Sequence, residues 1–167
     1  RKVVAEIFWL GEPEKDFHFF PFPQGRAAES VFFGCLSEIY YDALLPTTRV
    51  IVPSNSHFDT TQANLEARGL EALDLPRDVS ACAPDDVFRG NMDVERLARL
   101  LEQSGDIADE KKGDSPENFV IPLVMMTITN NTRGGLPVSM ENIRAVSALC
   151  RKNCVSFFLD TFFRFPE

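Results

Sequence analysis

Apolar residues along this chain switch between two spacings. Ala28, Val31, Phe32, Cys35, Leu36 and Ile39 recur at the i, i+3, i+4, i+7 interval of an amphipathic helix. That pattern places Gln24-Gly25-Arg26 at the helix N-terminus. Arg49 to Pro53 reads as a short buried strand that runs into the polar turn Ser54 to Thr61, where several side chains are candidate helix caps. A helix from about Thr61 to Arg68 is expected to stop at Gly69, and Glu71 to Leu75 to form a strand. Leu75 to Gly90, rich in Pro, Asp and small residues, reads as an ordered loop. Asp93 then caps a helix carrying Val94, Leu97, Leu100 and Leu101, closed by Gly105. Asp106 to Glu117 is a charged, solvated connection.

The last third has the clearest pattern. Phe119 to Thr127 is a near-continuous apolar run, as expected of a strand buried on both faces. Ser139 caps a helix bearing Met140, Ile143, Val146, Leu149 and Cys150, which Asn153 ends, and Val155 to Leu159 is a second buried strand. Strand, helix and strand of these lengths imply a right-handed crossover between parallel strands. The expected fold class is α/β, one domain with a largely parallel sheet and helices on both faces.

Composition narrows the function classes. The chain has 167 residues and a formal charge of −8, from 25 acidic against 17 basic residues. An acidic chain has no overall field to draw a phosphate backbone or an anionic leaflet, so neither nucleic acid nor membrane is an expected partner. No segment approaches the ~18 apolar residues that span a bilayer, and Glu6 interrupts the opening apolar run, against a signal peptide. The chain opens on Arg1 inside a strand-like pattern, as a piece of a longer protein would. Cys35, Cys82, Cys150 and Cys154 are too scattered for a disulfide framework and read as buried or half-buried thiols in a reducing, cytoplasmic compartment. On a continuous helix Cys150 and Cys154 would share one face, but the two histidines, His18 and His57, are far from them in sequence.

Open parallel sheets collect ligands outside the carboxyl ends of their strands. Asn131 follows the first strand of the crossover there and Asp160 the second. A carboxylate at the rim of an apolar layer needs a cationic or donor partner, unless it caps a following turn. Gln24-Gly25-Arg26 offers helix N-terminal N–H groups, a glycine that admits close approach and a guanidinium; that is a phosphate or carboxylate site in kind, or an ordinary helix start. Phe58, in a polar turn after a strand, packs in the core or lies against a planar ligand. Gly134-Gly135 marks the tight turn beyond Asn131. An anion cradle, an aromatic face, an amide and a carboxylate together suit a phosphorylated heteroaromatic with a protonatable ring nitrogen. Pyridoxal phosphate meets that description.

Thr127-Ile128-Thr129-Asn130-Asn131-Thr132-Arg133-Gly134-Gly135-Leu136-Pro137-Val138-Ser139-Met140-Glu141-Asn142-Ile143 resembles the T-x-T-x-N-x-x-G-G-Q-P-V-S-x-x-N-[IL] signature of tryptophanase and tyrosine phenol-lyase. These are the β-eliminating lyases of the aspartate-aminotransferase-like fold. Gln24 to Glu29, Ser54 to Gln62 and Phe88 to Asp93 resemble the same family in the same order. The resemblance implies that Gln24, Gly25 and Arg26 hold the cofactor phosphate, Phe58 stacks on the ring, Asn131 bonds the ring hydroxyl and Asp160 pairs with the pyridinium nitrogen. It also implies that Arg164 reaches the ring hydroxyl and that Asp59 lies on the substrate side, where tryptophanases resemble this sequence and tyrosine phenol-lyases tend to carry Thr. An amino-acid substrate, a homo-oligomer and a K+ site in the full-length parent follow from the same likeness.

The departures are specific. Arg164 stands one residue further from Asp160 than in the family, Leu136 replaces a Gln, and Arg133 replaces a small residue. Lys2, Lys15, Lys111, Lys112 and Lys152 all fall outside the context of the family's Schiff-base lysine, which lies some tens of residues beyond the aspartate. Residues 1–167 are thus expected to be part of a pyridoxal-phosphate-binding large domain, without the small domain or the lysine segment. The expected activity is tryptophanase-like β-elimination in a longer parent. The alternatives are a non-catalytic truncated paralogue serving as a binding module and, more weakly, a threonine-aldolase-like cleavage, which the Gly-Gly-x-Pro-Val-Ser run disfavours.

Overall fold

The computed structural model describes residues 18, 20–43, 48–83, 85–105, 118–130 and 134–161. In chain order the elements are helix α1 (Gly25–Ala43), strand β1 (Arg49–Ser54), helix α2 (Asp59–Glu66) and strand β2 (Glu71–Asp74). A 3-10 turn (Val79–Ala81) leads to helix α3 (Val94–Gln103), then strands β3 (Phe119–Val120), β4 (Leu123–Thr127), β5 (Thr129–Asn130) and β6 (Leu136–Pro137). Helix α4 (Met140–Lys152) and strand β7 (Ser156–Asp160) complete the set.

The main sheet runs β2-β1-β4-β7, with β3 also on β1, and every pairing in it is parallel. β4 and β7 match from Leu123↔Ser156 to Thr127↔Asp160. Alternation along β4 puts its residues into two cores. Val124 and Met126 pack with Leu97 and Leu101 of α3 and with Val146 and Cys150 of α4. Leu123 and Met125 pack with Phe33 of α1 and Leu65 of α2. Helices therefore cover both faces, as the strand pattern implied. No helix among the described residues is long and apolar enough to cross a membrane.

Several expectations are corrected. The Phe119–Thr127 run is two strands, because Pro122 has no N–H to give to a ladder and the chain bends there. α2 starts at Asp59 instead of Thr61, and its N-cap is Phe58, which makes no side-chain cap. Ser54, Asn55 and Ser56 do not cap it because they are buried and bonded elsewhere. β7 is only partly buried, as the last strand in the order, and Asp160 is its last residue and not the one after it. Of the four thiols only Cys150 is buried; Cys35 and Cys154 are exposed and Cys82 is intermediate. Cys154 lies beyond the helix at φ 55°, which turns it off the face it would otherwise share with Cys150.

The caps at α3 and α4 are as expected. Asp93 accepts from Arg96 N at 2.9 Å, and Ser139 Oγ accepts from Asn142 N at 3.1 Å. The loop from Leu75 to Gly90 is ordered by the Pro76–Met92 bridge and by an Arg77–Asp86 ion pair at 3.0 Å.

Candidate functional site

β1 lies between β2 and β4, so the connections on either side of it leave in opposite directions. Such a switch point opens a crevice at the carboxyl ends of the strands. Ser54, Asp74, Thr127 and Asp160 end the four strands on that edge. Asn55 staples the crevice floor: its Nδ2 donates to Gly90 O and Thr127 O, and its Oδ1 accepts from Thr127 N, each at 2.9 Å. The next residues carry the chain around the rim. His57 is buried, with Nδ1 2.8 Å from Asp74 Oδ1, and the same oxygen accepts from the His57 backbone N–H at 2.8 Å. Phe58 follows, half-buried, at the start of α2. Asp59 is exposed on the first turn of α2, where a carboxylate suits the helix dipole.

Gln24, Gly25 and Arg26 are exposed at the start of α1. Gln24 O accepts from Ala27 N and Ala28 N at 3.1 and 3.2 Å, which closes the first turn. A side chain at Gly25 would meet nothing within 4 Å among the described residues. Among the described residues, then, nothing packs against Gly25, and an anion could approach the helix end there.

Glu29 joins this end of α1 to the rest of the rim. Its Oε1 accepts from the buried Thr61 hydroxyl at 2.7 Å. Burial raises the Glu29 pKa; the Thr61 bond opposes that, the Asp160 charge adds to it, and Arg26 and His57 pull it back. Arg26, His57 and Asp160 thus each bear on Glu29, although they come from α1, the turn before α2, and the end of β7. Asp160 is half-buried and its pKa is also raised, by burial. The Thr127 hydroxyl opposite it in the β4–β7 register works against the shift, without a hydrogen bond of good geometry, and is itself buried.

The structure therefore gathers Gln24, Gly25, Arg26, Phe58, Asp59 and Asp160 at the carboxyl edge of the sheet. Asn131 and Arg164 lie outside the described residues, as do Arg133, Lys2, Lys15, Lys111 and Lys112. Lys152 is exposed in the last turn of α4, which feeds the amino end of β7, at the opposite edge of the sheet from Asp160. Sequence reasoning passed over Glu29, Asn55 and the His57–Asp74 pair. Two signals were available: Glu29 is three residues after Arg26 on the same helix face, and Asn55 is a polar residue at the carboxyl end of an apolar strand, as Asp160 is.

A model of the beta-eliminating lyase family matches residues 14–163. The chain belongs to the beta-eliminating lyase family. A tryptophanase of Hyphomonas neptunium is 42% identical over 144 residues, covering 86% of this chain and 27% of the relative. A tryptophanase of Salinibacter ruber is 42% identical over 152 residues, covering 90% and 27%. The chain thus spans about a quarter of the length of the curated relatives it matches. Among solved structures, mouse CSAD in apo form shares the fold at a TM-score of 0.55 and 19% identity, over 95% of this chain and 30% of that one.

Proposed function

We propose that these residues are the cofactor-holding part of the large domain of a pyridoxal-phosphate-dependent lyase, acting on an aromatic amino acid as tryptophanase does. One observation carries the reading: the Thr61–Glu29 bond at 2.7 Å holds the first turns of α1 at the carboxyl edge of the sheet, the same edge on which Asp160 ends β7. The residues present fit the cofactor. Gly25 leaves open space over a helix N-terminus for the phosphate. Asp160 is a carboxylate whose charge burial disfavours, and a protonated ring nitrogen beside it would relieve that cost. Phe58 supplies an aromatic face at the start of α2, and Asn131 and Arg164 are assigned to the ring hydroxyl. When bound, pyridoxal phosphate supplies an electron sink for the carbanion formed at the substrate α carbon.

The chain's own part is to bind and orient. Gln24, Gly25 and Arg26 hold the phosphate, and Asp160 keeps the proton on the ring nitrogen. Asp59 favours an indole-type leaving group over a phenol. Pyruvate and ammonia are the other expected products. Lys152 stands at the wrong edge of the sheet for the Schiff base, so that amine, the small domain and any K+ site would belong to the longer parent. That parent is expected to be a cytoplasmic homo-oligomer. On this reading the 167-residue chain holds the cofactor without turning over substrate. The second reading, a non-catalytic paralogue kept as a binding module, rests on the extra residue between Asp160 and Arg164 and on Arg133 and Leu136 standing where the family has a small residue and Gln.

Two measurements test this. Pyridoxal phosphate added to the purified chain should bind and then dialyse away; a visible band that survives dialysis and disappears with borohydride would show a competent lysine in these residues. The longer protein should release indole, pyruvate and ammonia from tryptophan in equal amounts. A longer protein that binds the cofactor and attacks neither tryptophan nor tyrosine would favour the second reading.

A further inference from the structure

The phosphate cradle and the aromatic platform belong to different helices, and little on the rim ties them together. Arg26 and Glu29 stand on α1, while Phe58 immediately precedes α2, whose buried Thr61 is its third residue. The Thr61 hydroxyl reaches across to Glu29 Oε1 at 2.7 Å. The next ties between these helices are further along α1. Arg68 Nη2 donates to Ser30 O and Oγ at 2.9 and 2.8 Å, and Ser37 Oγ donates to Arg68 O at 3.2 Å. Those bonds hold the turn just past α2, whereas the side-chain bond from the first turn of α2 to α1, among the described residues, is the one to Glu29. The bond also costs something to keep, since Glu29 stands half-buried within reach of a second carboxylate. A solvent-facing helix surface has no need of an acid there.

We propose that Glu29 is a positioning residue of this site: through its hydrogen bond from Thr61 it fixes the spacing between the anion cradle at Gln24–Arg26 and the ring platform at Phe58. This rests on the reading of the rim as a pyridoxal phosphate site. A ligand that must touch both places gains from their being held at one distance, and a ligand that touches only the cradle does not.

That difference gives the test. Pyridoxamine 5′-phosphate, which spans both places and has no aldehyde to react with surface lysines, is titrated into the 167-residue chain beside inorganic phosphate, which needs only the cradle. Glu29→Ala and Thr61→Val should each weaken pyridoxamine phosphate about tenfold while phosphate changes less than about twofold. Glu29→Gln keeps an acceptor and Thr61→Ser keeps the donor, so both should stay near the unmodified affinity. Ser37→Ala, which removes a tie at the far end of the same helix pair, should lower thermal stability and leave both affinities alone. Equal weakening of the two ligands by Glu29→Ala, or weakening by Ser37→Ala as large as by Thr61→Val, would overturn the proposal in favour of a local or a general packing effect. An unmodified chain that binds pyridoxamine phosphate no better than phosphate would overturn the reading of the site itself, before any variant is made.

Discussion

Glu29 and Asp160 hold negative charge where the folded chain makes it costly. Burial is the largest cause at both, so each carboxyl binds its proton more tightly folded than unfolded. Their contribution to stability is therefore fully present below the ordinary carboxylate range and is lost as pH rises through the raised values. Glu29→Gln and Asp160→Asn should each raise the Tm of the ligand-free chain at pH ~7.5 by about 1–3 °C, and the gain should vanish near pH ~3.5. Thermal melts across that range check the sign; a gain that persists in acid would mean the amides stabilise by packing instead. For Asp160 the expected cost is function, since Asn offers no charge to a ring nitrogen. The thiols separate in the same way. Burial pushes Cys150 up to about 11, whereas Cys35 and Cys154 are exposed. A thiol reagent at neutral pH should label those two within minutes and reach Cys150 only on unfolding, as mass spectrometry of the labelled peptides would show.

At the scale of elements, part of the family resemblance falls on residues that brace the fold. Gly90 braces: a Cβ there would sit 2.3 Å from Leu136 O and 2.9 Å from Pro137 O. Gly90→Ala should destabilise the chain by about 1–3 kcal/mol in denaturant titration. The contact uses the backbone of Leu136, which any residue supplies, so the change from Gln at that position leaves it intact. Gly134 and Gly135 take φ of 73° and 72°, and that turn returns β6 onto β5. Asn55→Ala would orphan Thr127 N–H and two carbonyls at the crevice floor, at about 2–4 kcal/mol, with a matching fall in the midpoint of unfolding. The helices and strands were legible because their apolar spacing is strong, and so were the Asp93 and Ser139 caps. The break at Pro122 was masked by the apolar run around it. The uncapped start of α2 was masked by the polar residues before it, because composition cannot show that Ser54, Asn55 and Ser56 are spent on tertiary bonds. Glu29 was hidden for a related reason: its partner, Thr61, is 32 residues away, and an acid in a helix reads as solvated until the fold supplies a neighbour.

At the scale of the whole molecule, apolar side chains among the described residues stay exposed outside the two cores. Phe20 is 72% exposed, Ile39 64% and Val31 52%. Val31, Cys35 and Ile39 follow one another at i, i+4, i+8 on the outer side of α1, and Leu159 of the β7 edge strand is exposed as well. Surface of this kind favours association, so the chain should show a concentration-dependent increase in size by light scattering that the double substitution Val31→Glu, Ile39→Lys reduces. An unchanged size across the concentration range would contradict that. The 167-residue length corresponds to about a quarter of the relatives it matches, and one structure tests the rim at the carboxyl ends of β1, β4 and β7. That structure is a crystal of the chain with pyridoxamine 5′-phosphate. The account predicts the phosphate over the Gly25 end of α1, the ring against Phe58, and the ring nitrogen within about 3 Å of the Asp160 carboxylate. A ligand bound elsewhere, or one whose ring nitrogen faces away from Asp160, would contradict it.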